Sequence, residues 1–252
     1  MKKSTINKVL LRIAGIVLFI LGWQVLSTII GGDSFILPSP IKTISETINM
    51  LGSTYIYKCL YQTLLRMFAG FLIAFVLAFI LGTIANISPV IEEILKPTIT
   101  IMRSIPTATL VYLFLVLAGA KLTPLFIVVL VSFPILYESV LGGIKATPNE
   151  LIEASKIDSS SIFKTIIKIR LPLAIPYIMV GVASSFALSL KIEIMAEVIT
   201  GYTRMGLGSA ILAAQRSDPT NMVPVFAYSL VAIVIMLIVD GLSNYIKDKY
   251  DH

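Results

Sequence analysis

The chain has 252 residues, 57% of them hydrophobic and 13% charged, with a formal net charge of +6. Soluble domains average about 25% charged residues, so this composition argues against an ordinary soluble globular protein and for a membrane-embedded one. One cysteine, Cys59, allows no intrachain disulfide, and one histidine, His252, argues against a His/Cys metal centre or histidine-based catalysis.

A membrane-crossing helix needs about 20 mainly apolar residues, and six segments qualify. The first, Val9 to Ile30, follows Lys2, Lys3 and Lys8 and carries Arg12 near its start. It opens like a signal peptide, but no A-x-A site follows and Trp23 and Gln24 lead on into GGDSFILPSP, so an uncleaved anchor is expected. Between Pro40 and Lys58, Ile41, Ile44, Ile48 and Leu51 fall at helical spacing. That pattern fits a helix lying along the outer membrane surface or a packed turn on that side. The second crossing is Tyr61 to Asn86. The third, Thr98 to Gly119, and the fourth, Leu122 to Gly143, are separated only by GAKLTP and read as one buried hairpin. After a polar centre come Leu173 to Thr200 and Val223 to Ile246. Twelve basic residues fall on the side of the termini and the polar centre, and five on the other. That asymmetry, with an even number of crossings, puts both termini and the polar centre in the cytoplasm.

The centre, Asn149 to Pro172, reads NELIEASKIDSSSIFKTIIKIRLP. Asn149 to Lys156 is a short polar helix. Asp158 and Ser159 to Ser161 break it and can cap a second one. In that second helix Ile162, Ile166 and Ile169 share a face, Lys164, Lys168 and Arg170 point elsewhere, and Pro172 ends it. Two readings stand on physics alone: a water-exposed handle gripped by a partner protein, or a basic amphipathic helix resting on anionic lipid.

Ionisable residues also lie within the crossings. Arg103 sits near the start of the third and is placed to snorkel. Lys191, Glu193 and Glu197 lie in the fifth, with the two glutamates four apart on one face. Charges at such depth face a cavity or a partner. Lys191, Glu193 and Glu197 either line a cavity or form an ion pair between crossings, with Arg103 as a candidate partner. The glycine-rich Gly201 to Ala210 loop either reaches a solute or closes the outer end. The sequence contains no GxxxxGK[ST] phosphate loop, HExxH or GxSxG pattern, so no ATPase or hydrolase activity and no bound cofactor are expected of this chain.

The central stretch resembles the EAA loop of ABC importer permeases. Glu153, Ala154 and Ser155 stand for Glu-Ala-Ala, Ser159 occupies the usual glycine position, and Leu171 and Pro172 match the distal Leu-Pro. LPSP (Leu37 to Pro40), RSIP (Arg103 to Pro106), FPIL (Phe133 to Leu136), LPLAIPYI (Leu171 to Ile178), Ala196-Glu197 and Gly206 to Gly208 resemble the nitrate/sulfonate/taurine branch, in the same order from about residue 35 onward. The resemblance implies an all-α membrane protein of the type I ABC importer permease class, a single permease domain over 1–252 with a cytoplasmic coupling loop at about 145–172. It further implies pairing with a second permease copy as a homodimer in the inner membrane of a prokaryote. A separate ATPase subunit would bind ATP and Mg, and an extracytoplasmic binding protein would deliver a small polar or anionic solute such as nitrate, a sulfonate, taurine, bicarbonate or a vitamin precursor. Glu150, Glu153, Ala154, Ser155, Lys156 and Ser159 would contact the ATPase. Arg103, Lys191, Glu193 and Glu197 are the candidate path residues. Ser155 for alanine and Ser159 for glycine depart from the usual pattern and bear on the docking geometry, since glycine tolerates a positive φ that serine does not. The competing reading is an ion-coupled secondary transporter using the intramembrane Lys and Glu residues, although no inverted repeat is visible.

Overall fold

A computed structural model describes residues 2–30, 35–148, 165–201 and 205–250. The expected Asn149 to Lys156 helix, its serine turn and the candidate ATPase contacts Glu150, Glu153, Ala154, Ser155, Lys156 and Ser159 lie outside the described residues.

The described residues form α1 (Lys2–Ile29), α2 (Pro40–Leu51), α3 (Thr54–Ile87), α4 (Pro89–Ser104), α5 (Thr107–Lys145), a π-helical turn (Ile166–Arg170), α6 (Leu171–Thr200), α7 (Leu207–Ser217) and α8 (Val223–Tyr250). Among the described residues, five helical stretches are long and apolar enough to cross a membrane: Leu10–Ile29, Thr54–Ile87, Thr107–Lys145, Lys168–Thr200 and Val223–Tyr250. By contacts the chain divides into two units, Met1–Lys58 with Ala210–Ile233 and Cys59–Ser209 with Val234–His252.

In the first unit the LPSP tetrapeptide is a pinned corner. Trp23 Nε1 donates to the Pro38 carbonyl at 3.0 Å and Ser27 Oγ to the Leu37 carbonyl at 2.9 Å, which fixes the corner to α1. Ser39 then caps α2 by accepting from the Lys42 amide, and Pro40 occupies the first turn, where its missing N–H costs nothing. On α2, Ile41, Ile44 and Ile48 are exposed while Thr43 is buried, so the expected apolar face is present and faces away from the chain.

In the second unit α5 is a hairpin rather than a rod. Its 39 residues would span about 58 Å if straight, nearly twice the hydrocarbon thickness. Gly119 breaks the run with φ 72° and ψ 162°, a conformation open to glycine. Phe114 and Phe126, about 18 Å apart on a straight helix, stack with centroids 5.7 Å apart. Arg103 pairs with Glu138, and Lys145 Nζ reaches Glu92 Oε1 at 2.5 Å. All three pairs are nearly symmetric about Gly119 and Ala120, as the expected third and fourth crossings require. The third crossing is not one helix, however. It is broken at Ile105–Pro106, where Ile105 is extended (φ −79°, ψ 127°) because the following proline disfavours the helical region. The amphipathic end of α4 and Thr107 to Ala118 share that crossing.

The C-terminal half of α5 and α6 form an antiparallel pair closed by small residues. Ser132 and Ser189 hydroxyls meet at 2.8 Å. A Cβ on Gly181 would overlap the Ser139 side chain, and one on Gly143 would lie 2.9 Å from Tyr177 Cβ. Apolar burial gives helices little drive to associate inside lipid, so such close backbone approach supplies the cohesion. Around this seam Phe71, Ala74, Ala78, Val128, Leu136 and Ala196 build the core.

Pro172 does not end the helix before it, contrary to the expectation from the sequence. The π turn carries the chain into α6, with the Leu171 amide bonded to the Ile166 carbonyl. The wider turn relieves the clash that proline makes with the carbonyl four residues back. Ile166 is buried and Lys168 exposed, in line with the expected amphipathic pattern.

Candidate functional site

The fifth crossing, α6, carries ionisable groups that end in two different places. Lys191 Nζ lies 3.0 Å from Asp240 Oδ2 on α8. Glu193 and Glu197, one turn apart and both fully buried, turn instead toward α3. There Arg66 Nε donates to Glu193 Oε1 at 3.1 Å, and Arg66 Nη2 binds both Glu197 Oε1 and, at 3.0 Å, the Met205 carbonyl. Thr63, one turn before Arg66, donates its hydroxyl to the Glu197 carboxylate at 2.9 and 3.0 Å.

The same carboxylate starts α7. Gly208 N donates to Glu197 Oε2 at 2.8 Å and Leu207 N to Thr63 Oγ1 at 2.8 Å. Two amides that α7 cannot satisfy internally thereby find partners on other helices, and the carboxylate sits at the positive end of the helix dipole. The Gly-Leu-Gly motif follows from this packing. A Cβ on Gly206 would stand 2.6 Å from both Arg66 Nη2 and Glu197 Oε1, and a Cβ on Gly208 would overlap the Ile194 carbonyl. Arg66, Thr63, Glu193, Glu197 and the Met205 to Gly208 backbone thus form one latch across α3, α6 and α7. The Gly201 to Ala210 loop is fastened at its Met205 to Gly208 end. One guanidinium faces two carboxylates, and among the described residues Glu193 Oε2 has no partner.

Arg103 is not in this cluster. Its ion pair with Glu138 is exposed on both sides, and Glu138 lines a cleft of about 630 Å³ with Ser139, Gly142, Gly143, Tyr177, Gly181 and Ser184. The four candidate path residues therefore fall into three places: Glu193 and Glu197 in the latch, Lys191 against Asp240, and Arg103 at the cleft. The ion pair between crossings does form, with Arg66 rather than Arg103. Arg66 was the missed residue, although a lone arginine inside an apolar crossing calls for a buried carboxylate partner and only a few were on offer. Among the described residues, no group of three or more His, Cys, Asp or Glu side chains could hold a metal.

Long apolar helices, a hairpin at Gly119 and a tightly seamed helix pair mark a helical membrane-spanning protein. The family described as binding-protein-dependent transport system inner membrane component matches residues 70–252, and the chain belongs to it. A riboflavin transport system permease protein of Chloroflexus aurantiacus is 31% identical over 226 residues, covering 89% of this chain and 83% of that one. A Bacillus subtilis permease protein named for aliphatic sulfonates transport is 24% identical, covering 90% and 81%. In fold, the chain is similar to a subunit of the MetNI methionine ABC transporter in an inward-facing conformation (TM-score 0.64, 17% identity, 78% and 96% covered). It is likewise similar to a chain of an amino acid ABC transporter (TM-score 0.66, 19% identity, 81% and 98% covered). The protein is an ABC importer permease subunit with the all-helical type I architecture.

Proposed function

We propose that this permease forms the path for a small polar or anionic solute, or a vitamin-type compound, and is driven through residues 145–172 by a separate ATPase that binds ATP and Mg. The observation that carries this reading is the α5–α6 pair. The chain leaves α5 after Lys145 and returns at Thr165 on two helices whose seam leaves no room for a Cβ at Gly181. A push on the intervening segment therefore moves both helices as one body, and α6 ends in the latch. Glu153 would fix the docked segment by charge, and Ala154 would allow close approach. A second permease copy would complete the path as a homodimer, with an extracytoplasmic protein delivering the solute and both termini in the cytoplasm. Relatives named for compounds as different as riboflavin and aliphatic sulfonates support leaving solute choice to that binding protein. The intramembrane charges offered the opposing reading, an ion-coupled carrier. Membership of a binding-protein-dependent transport family weighs against it.

The test is sided labelling with co-purification. Lys156 and Lys164 should react with a membrane-impermeant amine reagent only from the cytoplasmic side, and tagged permease should retain an ATPase. Labelling of those lysines from outside, or ATP turnover by the purified chain alone, refutes the reading.

A further inference from the structure

Both stems of the central loop are tied to one short corner of the chain, between α3 and α4. The exit stem is held where Arg170 Nη1 donates to Asn86 Oδ1 at 2.9 Å, on the last turn of α3. The entry stem is held where Lys145 Nζ meets Glu92 Oε1 at 2.5 Å, on the first turn of α4. Asn86 and Glu92 are six residues apart, and the corner between them is stiff. The Ser88 amide closes onto the Ile84 carbonyl at 3.0 Å, the Ile91 amide returns to Ser88 O at 3.0 Å, and Pro89 fixes the start of α4. Arg170 lies in the π turn; among the described residues its Nε is buried without a partner, and its Nη1 makes the directional contact to Asn86 at that stem.

We propose that the Asn86–Glu92 corner is a brace for the loop, with Asn86 positioning Arg170 and Glu92 positioning Lys145. The latch and the shared core already fasten the α5–α6 pair to α3 away from the loop. The corner adds a tie at the loop end and brings in α4, so that a push on the loop displaces four helices together. The two bonds serve different ends: the partly buried amide–guanidinium contact sets geometry, and the exposed ion pair sets registry and can exchange. This proposal rests on the reading that residues 145–172 receive the force of an ATPase.

The experiment uses the full permease co-purified with its ATPase in nanodiscs. Gly142 lines the cleft and has open space at its Cβ position, so Gly142→Cys provides a reporter, while Cys59 is fully buried. The maleimide labelling rate of Gly142→Cys is compared with and without Mg-ATP plus vanadate, alongside the rate of ATP hydrolysis. With the native corner, trapping should change the labelling rate. Glu92→Lys and Asn86→Leu should keep the bound ATPase and its hydrolysis yet cut that change about fivefold, equivalent to about 1 kcal/mol, and Lys145→Glu should cut it by a similar factor. The exchanged pair Glu92→Lys/Lys145→Glu should restore it, and Asn86→Asp, which keeps an acceptor for Arg170, should retain it. A full labelling response in the single variants, or an exchanged pair no better than either single change, overturns the brace while the coupling reading stands. Failure of the unaltered permease to retain any ATPase overturns both. Thermal protection of Cys59, measured for each corner variant without Gly142→Cys, separates loss of coupling from loss of fold.

Discussion

Glu193 and Glu197 are both fully buried and one helical turn apart, yet replacement by glutamine should affect them very differently. Both Glu197 oxygens are in use: Oε1 accepts from Arg66 and Thr63, and Oε2 from the Gly208 amide and Thr63. A glutamine there must turn its NH2 toward either Arg66 Nη2 or the Gly208 N–H, so a donor meets a donor in either orientation. One charge-assisted bond, worth about 1.5–3 kcal/mol, is lost, and a buried donor left unpaired costs about 1–3 kcal/mol more. The sum, about 2.5–6 kcal/mol, brackets the usual cost of about 3–5 kcal/mol for taking one partner from a buried ion pair, and that narrower range sets the melt. Glu193 differs because only Oε1 is engaged, by Arg66 Nε at 3.1 Å, and Oε2 has no partner among the described residues. Glutamine at 193 can keep its oxygen on Arg66 and place its NH2 where no donor stands, at a cost of about 1 kcal/mol. At about 2–4 °C per kcal/mol for a chain of this size, Glu197→Gln should lower Tm by about 6–20 °C and Glu193→Gln by at most about 4 °C. Cys59, 0% exposed, serves as the reporter through its reaction with a thiol dye on heating in detergent. Equal losses at the two positions, or a Glu197→Gln variant that melts with the parent, would refute the latch. A path role for Glu197 instead expects a variant that melts normally and fails in transport.

Gly208→Ala should be at least as damaging as Glu197→Gln in the same melt, because its Cβ meets the Ile194 carbonyl, a backbone atom that cannot swing aside. Gly181→Ala should cost about 1–3 kcal/mol through overlap with Ser139, and Gly181→Ala/Ser139→Gly should recover most of the lost Tm; no recovery would mean that the seam is not closed at that contact. Arg103→Ala should shift Tm by less than about 4 °C, since its bridge to Glu138 is 54% and 48% exposed and such pairs contribute at most about 1 kcal/mol.

The architecture was legible wherever length and composition decide it. Apolar runs of sufficient length marked the crossings, and GAKLTP marked the hairpin because Gly119 is the residue that can take the φ the turn needs. The break within the third crossing was visible in RSIP to anyone applying the restriction on a residue before proline, but an unbroken apolar average hid it. The latch was half legible. Spacing put Glu193 and Glu197 on one face, while their partner depended on which helix packs there, and one-dimensional periodicity holds no such information. The glycines of Gly-Leu-Gly carried a signal that glycine richness alone left open between contact with a solute and closure of the outer end. Their actual constraint is steric, a close approach of α7 to α6 that only the tertiary structure shows.

The placement of polar groups along α6 has a consequence for how the helix can work. Its Leu171 end joins the π turn and the tether to Asn86, its middle is the small-residue seam against α5, and its Thr200 end holds Glu193 and Glu197. Ser189 to Glu197 spans about 12 Å of helix, so the seam and the latch are separated by little more than two turns. A tilt of the α5–α6 pair cannot be absorbed by side-chain slack over that length, because the seam lacks room for a methyl group at Gly181 and the latch has a donor on each Glu197 oxygen. The latch must therefore either travel with α6, taking Arg66 of α3 and the start of α7 along, or break as a unit. Breaking it would leave two buried carboxylates without their guanidinium, a cost of several kcal/mol. Travel as a body is the cheaper course, with the Arg66, Glu193 and Glu197 contacts keeping α3, α6 and the start of α7 together as α6 moves.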